Sequence, residues 1–162
     1  MDFAHLRPYQ QNGVNALRQG IAEGHRSQLL VAPTGAGKTQ IASYLMHGAH
    51  EKDTQTAFVV DRVVLVEQTS RTLDSHGIPH GIVQAGHWRY RPNEPIQICS
   101  AQTIEKRGFF PGCKFLIVDE AHAVRKATAD LIKGVQSLRV IGLTATPFTK
   151  GLKDLYSNIV NV

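Results

Sequence analysis

The segment "LLVAPTGAGKTQIASYL" (Leu29–Leu45) joins an apolar run to a helix-like pattern through a loop that contains two glycines. The residues Gln28–Ala32 have the length and apolar character of a buried strand. After the loop, apolar residues recur at every fourth position, which predicts one face of a helix. Gly35 and Gly37 can adopt positive φ, so successive backbone N–H groups of the loop can converge on an anion. The order of strand, glycine-rich loop and helix is the context that a phosphate-binding loop requires.

The same loop carries side chains that suit phosphate and metal binding. Lys38 can supply a positive charge for the β- and γ-phosphates of a nucleotide, and the Thr39 hydroxyl can coordinate Mg²⁺. The positive end of the following helix dipole adds to this attraction. The usual pattern begins with a glycine, whereas this sequence has Ala32 at that position. The residues predicted to contact the nucleotide are Pro33, Thr34, Gly35, Ala36, Gly37, Lys38 and Thr39.

Strand-like runs alternate with helix-like or turn-rich segments along the rest of the chain. The runs are continuous rather than alternating in hydrophobicity, which is typical of strands that are covered on both faces. Helices are predicted at Lys38–His50, Arg62–Gly77 and Ala127–Gln136. This alternation predicts an α/β fold with a mostly parallel central sheet. The remaining predicted strands are Thr56–Val60, Gly81–Gln84, Ile96–Ser100, Lys114–Val118 and Arg139–Leu143.

Length and composition are those of one globular domain. The chain has 162 residues, of which 42% are hydrophobic and 19% charged, and a chain of this length can bury a real core. It contains no apolar run of the roughly 18 residues that span a bilayer, and its first ten residues lack the features of a signal peptide. Cys99 and Cys113 cannot form a disulfide framework, so we expect a protein of the reducing cytoplasm. The net charge of +5 is compatible with a polyanionic partner but does not by itself indicate one.

A second segment, "KFLIVDEAHA" (Lys114–Ala123), ends an apolar run with two adjacent carboxylates. Adjacent acids repel each other and are costly to desolvate, so they call for a cationic partner. Ligands of open parallel sheets bind beyond the carboxyl ends of the strands. Asp119 can therefore face the Mg²⁺ held at Thr39, and Glu120 can orient or deprotonate the water that attacks the γ-phosphate. An exposed acidic turn is the alternative.

"DEAH" (Asp119–His122), with "APTGAGKT" (Ala32–Thr39) before it and "GLTATP" (Gly142–Pro147) after it, resembles the first RecA-like motor domain of superfamily 2 helicases and translocases. The nearest group is the DEAH-type group that includes restriction-enzyme translocase subunits and phage helicases. The resemblance covers nearly the whole chain and implies a three-layer RecA-like P-loop NTPase domain over residues 1–162. It also implies an ATP hydrolase that uses ATP and Mg²⁺ to move on, or unwind, DNA or RNA.

The resemblance implies roles for residues outside the phosphate loop. Thr144 and Thr146 would lie near His122 and connect hydrolysis to strand movement. Arg7 and Gln10 match an upstream motif that reads adenine, with Gln10 as the bidentate partner because its amide offers one donor and one acceptor. The alternative is that both residues cap the helix that follows. The implied catalytic set is Lys38, Asp119, Glu120 and His122.

Two further segments are similar to family motifs that contact nucleic acid. In "VVDRVVLVEQ", Arg62 and Gln68 occupy the polar positions, although Val60–Asp61 stands where the family usually has Pro-Thr. In "SAQTIE", Gln102 and Thr103 would bond phosphate oxygens, which positions a strand without reading its sequence. Capping at the end of the preceding strand is the alternative for this second segment.

Several other features of the sequence are weaker indicators of function. The segment "GHWRYRP" (Gly86–Pro92) interleaves arginines with aromatic rings, which suits stacking on single-stranded bases, but an ordinary loop with packed aromatics is equally consistent. His76 and His80 have the spacing of a zinc pair on a helix, which the intervening glycine and proline make implausible. The charges at 105–107 and 125–126 are expected to be solvated.

No stretch of the sequence matches the family's second RecA-like domain, which carries the arginines that complete the ATP site. We therefore expect a second RecA-like domain in a longer chain or in trans, and a weakly active chain without it. Neither a membrane nor a metal other than Mg²⁺ is expected. Two other functions stay open: a P-loop ATPase that does not act on nucleic acid, and a non-catalytic module that docks to DNA or to a protein partner.

Overall fold

A computed structural model describes residues 6–162. Residues 1–5 lie outside this part, and they belong to the ten residues in which the sequence shows no signal peptide. The helices of the described chain are α1 (Pro8–Ala22), α2 (Lys38–Glu51), α3 (Val63–Ser75), α4 (Ala101–Arg107), α5 (Lys126–Gly134) and α6 (Leu152–Leu155). The strands are β1 (Ser27–Val31), β2 (Thr56–Val60), β3 (Gly81–Val83), β4 (Ile96–Ser100), β5 (Phe115–Val118), β6 (Arg139–Thr144) and β7 (Asn158–Asn161). Within residues 6–162, no helix has the length and apolar content needed to cross a membrane.

The described strands form one sheet in the order β3-β4-β2-β5-β6-β1-β7, and every pairing in it is parallel. Buried side chains form one cluster on each face of the sheet. Phe58 belongs to the cluster beneath α1, α2 and α3, whereas its neighbours Ala57 and Val59 belong to the cluster beneath α4, α5 and α6. The strands are apolar at consecutive positions because helices cover both faces. The fold is therefore a three-layer α/β sandwich, as the sequence predicts.

The six predicted strands and three predicted helices are all present, with ends that differ by no more than two residues. The helix α3 ends at Ser75, and Gly77 follows with a φ of +68°. Three short elements, α4, α6 and β7, are not predicted from the sequence. The helix α4 begins directly after β4, and the Ser100 hydroxyl accepts a hydrogen bond from the Thr103 N–H at 3.5 Å. Ser100 therefore acts as the N-cap of a helix rather than as the end of a strand alone.

The residues that the sequence assigns to structure rather than to chemistry behave accordingly. Both cysteines are free, Cys99 is fully buried, and burial raises the pKa of the Cys113 thiol to about 11. Both ring nitrogens of the buried His80 have protein partners, the Ser70 hydroxyl at 2.7 Å and the Ile78 carbonyl at 2.9 Å. These contacts explain His80 as a core histidine.

Candidate active site

The three segments that resemble family motifs leave the same edge of the sheet side by side. In the parallel register, Val31 at the end of β1 pairs with Thr144 at the end of β6, and Val118 at the end of β5 pairs with Gly142. The phosphate loop follows β1, the DEAH segment follows β5, and the "TATP" segment begins at the end of β6 between them. The topology therefore brings all three to one place.

The phosphate loop has the backbone conformation that its glycines predict. Gly35 and Gly37 adopt φ values of +85° and +79°, and the Ala36 N–H donates to the Pro33 carbonyl at 3.0 Å. Helix α2 begins at Lys38, and its N-cap residue, Gly37, has no side chain that could cap the first turn. The N–H groups of this turn lack intrahelical partners, so the helix start can accept an anion.

The phosphate-loop lysine and the second acid of the DEAH segment meet in this structure. Lys38 Nζ lies 3.7 Å from Glu120 Oε1. Glu120 adopts a φ of +49°, which is a left-handed conformation that a non-glycine residue rarely takes. Such strain costs on the order of 1–3 kcal/mol and persists where the surrounding structure imposes it. The bend after β5 thus directs the Glu120 carboxylate toward the phosphate loop.

Asp119 lies at the end of β5, where its backbone N–H donates to the Val59 carbonyl at 2.9 Å. Burial and then the adjacent charge of Glu120 raise the pKa of the Asp119 carboxyl, while Lys38 acts in the opposite direction. A cation bound beside Asp119 would offset this unfavourable charge. Among residues 6–162, no group of three or more histidine, cysteine, aspartate or glutamate side chains forms a metal cluster. A Mg²⁺ ion here would take a carboxylate, the Thr39 hydroxyl and phosphate oxygens, which suits its usual coordination.

The DEAH histidine contacts both the acid pair and the neighbouring strand. His122 Nδ1 lies 3.0 Å from the Thr144 hydroxyl and 3.4 Å from Glu120 Oε2. Thr144 is fully buried, and its hydroxyl also accepts a hydrogen bond from the Thr146 N–H at 3.1 Å. The predicted proximity of the threonine pair to His122 is thus present, with Thr146 taking part through its backbone. The coupling role stays a prediction.

The start of α1 rests on the phosphate loop. Gln10 is buried, its Nε2 donates to the Ala36 carbonyl at 2.7 Å, and its Oε1 accepts from the Arg7 N–H at 2.9 Å. Tyr9 also donates to the Ala36 carbonyl, at 3.2 Å. Gln10 therefore performs the capping function that was the alternative to adenine binding. Its adenine contact stays a prediction, and it requires the amide to change partners.

Of the residues predicted to contact nucleic acid, Arg62, Gln102 and Thr103 lie at this edge, whereas Gln68 lies farther along α3. Arg62 precedes α3, and both Arg62 and Gln68 are exposed. Arg62 makes no ion pair with any other residue in the described range. Gln102 is exposed, and its Nε2 donates to the Asp61 carbonyl at 2.6 Å. Thr103 is only 8% exposed and accepts a hydrogen bond from the Ala85 N–H at 3.3 Å.

Sequence reasoning missed the structural role of Asp61. Its carboxylate forms an ion pair with Arg125 at the start of α5, while its carbonyl binds Gln102 at the start of α4. The expectation that Arg125 is merely solvated is therefore wrong, and Glu105 likewise accepts a hydrogen bond from the Ala127 N–H at 2.9 Å. The sequence offered one signal of this role, since Val60–Asp61 stands where the family usually has Pro-Thr. Asp61 thus connects the start of α3, which it closely precedes, with the starts of α4 and α5.

A cavity of about 490 Å³ lies away from this site, at the amino-terminal edge of the sheet. It is bounded by the starts of β1, β5 and β6 and by the carboxyl-terminal halves of α1 and α2. Its described lining contains none of the residues predicted to bind nucleotide. The ligands of parallel sheets bind at the opposite edge of the sheet. The candidate active site is therefore not this cavity but the group of three loops that follow β1, β5 and β6, called the loop cluster below.

Known proteins resemble this chain in sequence or in fold. The Rad25 protein of Halobacterium salinarum is 31% identical over 94% of this chain and 25% of its own length. The UvsW helicase of bacteriophage T4 has a TM-score of 0.76 and 19% identity, over 97% of this chain and 60% of that chain. The SWI2/SNF2 ATPase core of Sulfolobus solfataricus has a TM-score of 0.68 and 20% identity, over 94% of this chain and 34% of that chain.

These relatives are longer than the chain, which spans about a quarter of the length of the curated relatives it matches. The family described as "Type III restriction enzyme, res subunit" matches residues 3–149. That range contains the phosphate loop, the DEAH segment and the "TATP" segment whose geometry is given above. The chain is a RecA-like domain of the type found in helicases and translocases, and it belongs to the family of the type III restriction enzyme res subunit.

Proposed function

We propose that this chain binds ATP and Mg²⁺ at the loop cluster and couples ATP hydrolysis to movement on nucleic acid. The observation that carries the proposal is the 3.7 Å approach of Lys38 to Glu120. It joins a phosphate-binding loop after one strand to a catalytic acid pair after another. Lys38 and Glu120 are 82 residues apart in sequence, and their two loops thus supply complementary parts of a single ATP site.

The side chains divide the chemistry among them. The backbone N–H groups of the loop and Lys38 hold the β- and γ-phosphates, and nucleotide entry replaces the contact between Lys38 and Glu120 with one between Lys38 and phosphate. Thr39 and Asp119 would hold Mg²⁺, which would neutralise charge on the phosphate oxygens. Glu120, released from Lys38, accepts a proton from the attacking water.

The nucleic-acid part of the proposal rests on position, charge and relatives. Arg62 and Gln102 lie at the edge of the sheet that also carries the proposed ATP site, and Gln68 is exposed farther along α3. The solved SWI2/SNF2 ATPase core is described in complex with double-stranded DNA, and Rad25 is named as a DNA helicase. The hydrogen bond between His122 and Thr144, at the end of β6, offers a path from the γ-phosphate toward the rest of the domain. A second RecA-like domain would complete the site.

Two variants test the ATP site. Lys38→Ala should abolish nucleotide binding, because the charge on the phosphates loses its partner, whereas Glu120→Gln should keep binding. Glu120→Gln should lower turnover by about 10²–10⁴-fold through the loss of the base. Isothermal titration with ADP and an ATP analogue measures binding, and phosphate release measures turnover. Lys52→Ala, which changes an exposed lysine at the other end of α2, serves as the matched control.

The alternatives predict different results in the same assays with DNA added. Turnover that rises with DNA supports the motor, turnover that ignores DNA supports an ATPase of another kind, and DNA binding without turnover supports a docking module. Tight ATP binding by Lys38→Ala would contradict the assignment of the phosphate loop. Unchanged turnover in Glu120→Gln would remove Glu120 from its proposed role.

A further inference from the structure

The loop between β3 and β4 carries a tryptophan that is exposed but held in place by its neighbours. Trp88 is 74% exposed. The His87 ring stacks with it at a centroid distance of 5.8 Å and an interplanar angle of 26°. The Arg89 guanidinium carbon lies 5.6 Å from the centroid of the Trp88 ring. Two neighbours therefore restrict the indole while most of its surface stays open to a partner.

Arg89 is anchored to helix α3 and is not available to nucleic acid. Its side chain forms two hydrogen bonds with the Asp74 carboxylate, at 2.7 and 2.8 Å, and Nε donates to the His80 carbonyl at 3.2 Å. Arg89 is only 8% exposed. Bidentate pairing of this kind fixes both position and orientation. Arg89 is therefore held by protein partners and supports Trp88.

His87 is anchored to the same helix. The Arg89 N–H donates to His87 Nδ1 at 3.0 Å, so Nδ1 is an acceptor and the ring proton is on Nε2. That proton points to Glu67 Oε1, which lies 2.6 Å from Nε2. Both neighbours of Trp88 are thus bonded to α3, and the indole can meet a ligand without ordering a flexible loop first.

These anchors place the tryptophan beside the predicted nucleic-acid contacts. Glu67 immediately precedes Gln68 on α3, and the Ala85 N–H at the start of the loop donates to the Thr103 hydroxyl of α4. Tyr90, two residues after Trp88, is also 66% exposed. An open ring on a rigid support, next to groups suited to a phosphate backbone, is the arrangement that binds unpaired bases by stacking.

We propose that Trp88 is a stacking platform for an unpaired base of the strand that this domain binds. The inference rests on the proposed function and adds to it a ligand class, single-stranded nucleic acid. Stacking on a ring does not depend on base identity, so the platform should accept many sequences. DNA and RNA share the base faces involved, and the test includes both.

Trp88 is the only tryptophan of the sequence, so its emission reports on one position. Titration of the 162-residue chain with oligo(dT) or oligo(U) should quench the Trp88 emission. In a parallel titration, the chain should raise the anisotropy of a labelled oligonucleotide. Trp88→Ala should weaken the anisotropy-measured binding by about 5- to 100-fold, and Trp88→Phe should recover part of it because a ring remains. Phe109→Ala removes an aromatic ring that is 65% exposed elsewhere and should bind as the wild type does.

The outcomes separate this inference from the function on which it rests. Anisotropy that rises while Trp88 emission stays constant, with Trp88→Ala binding normally, would overturn the platform and leave nucleic-acid binding intact. Binding of a blunt duplex alone, without quenching, would also overturn it. If no oligonucleotide raises the anisotropy, both the nucleic-acid function and the platform are wrong. Thermal unfolding of each variant checks that binding was lost from a folded chain.

Discussion

At the scale of single residues, Asp119 occupies a position where its charge is unfavourable. Burial and Glu120 raise its pKa in the folded chain, so the folded state favours the protonated carboxyl more than the unfolded state does. Its contribution to stability is therefore fully present below the ordinary pKa of aspartate and is lost as the pH rises through the raised value. The ionised carboxylate is therefore less favourable in the nucleotide-free folded domain than in the unfolded chain.

We predict that Asp119→Asn stabilises the nucleotide-free chain near neutral pH while it removes Mg²⁺-dependent turnover. A relief of about 1 kcal/mol would raise Tm by roughly 2–4 °C in a domain of this size. The difference between the two proteins should shrink in acid, where wild-type Asp119 is itself neutral. Thermal unfolding followed by circular dichroism over a pH series measures both effects.

The matched control for this prediction is Asp53→Asn. Asp53 is exposed and has a φ of +53°, a conformation that asparagine also tolerates, so the change removes a charge without altering the backbone. It should leave the pH dependence of Tm unchanged. A lower Tm for Asp119→Asn than for the wild type near neutral pH would show that the ionised carboxylate has a favourable partner in the folded chain.

The sequence predicted which residues lie together at the candidate site better than it predicted their conformation. The spacing of Lys38, Asp119 and His122 was informative because strand ends meet at one edge of a parallel sheet. The left-handed backbone of Glu120 was not predictable, since local preference favours glycine or asparagine in that conformation. The partners of Gln10 were also not fixed by sequence, because an amide can bind a nucleotide or the protein equally well.

At the scale of elements, the length of a helix or strand determined whether the sequence could predict it. The central strands were clear because both faces are buried and the sequence is therefore apolar throughout. The missed elements are short: α4 has seven residues, α6 has four and β7 has four. Such segments carry too few positions for a periodic pattern, and their structure depends on tertiary contacts such as the pairing of β7 with β1.

An element-scale prediction concerns the start of α3. Arg62→Ala should weaken binding of single-stranded nucleic acid and reduce the slope of log K against log salt by about 0.7 in magnitude, since one phosphate contact is lost. Arg62 is exposed at the edge of the sheet that carries the ATP site. Binding isotherms of oligo(dT) across a salt series give the slope.

Arg71→Ala is the matched control because Arg71 is an exposed arginine farther along the same helix. It removes the same charge, so a general effect of net charge would appear in both variants. The position-specific contact predicts that only Arg62→Ala changes the slope. Equal slopes for the wild type and Arg62→Ala would exclude a phosphate contact at Arg62.

At the scale of the whole molecule, the sheet separates two edges with different roles. The carboxyl edge gathers the phosphate loop, the acid pair and the candidate nucleic-acid contacts. The amino edge holds the cavity, whose described lining includes five basic side chains and no acidic one. The basic lining residues are Arg18, Arg26, Lys52, Lys114 and Arg139. The net charge of +5 is therefore not concentrated at the candidate active site, and it is weak evidence for nucleic-acid binding on its own.

The last prediction concerns the partner domain. The proposed site would supply phosphate binding, metal ligands and a base, but an arginine that reaches the γ-phosphate from a second RecA-like domain contributes about 10³–10⁵ in rate. A protein that carries this chain followed by such a domain should hydrolyse ATP faster by that order, and DNA should raise the rate further. The same longer protein with Glu120→Gln is the control, because it keeps the second domain and loses only the base. Equal turnover by the 162-residue chain and the longer protein would mean that the chain already contains a complete site, and the half-site interpretation would be wrong.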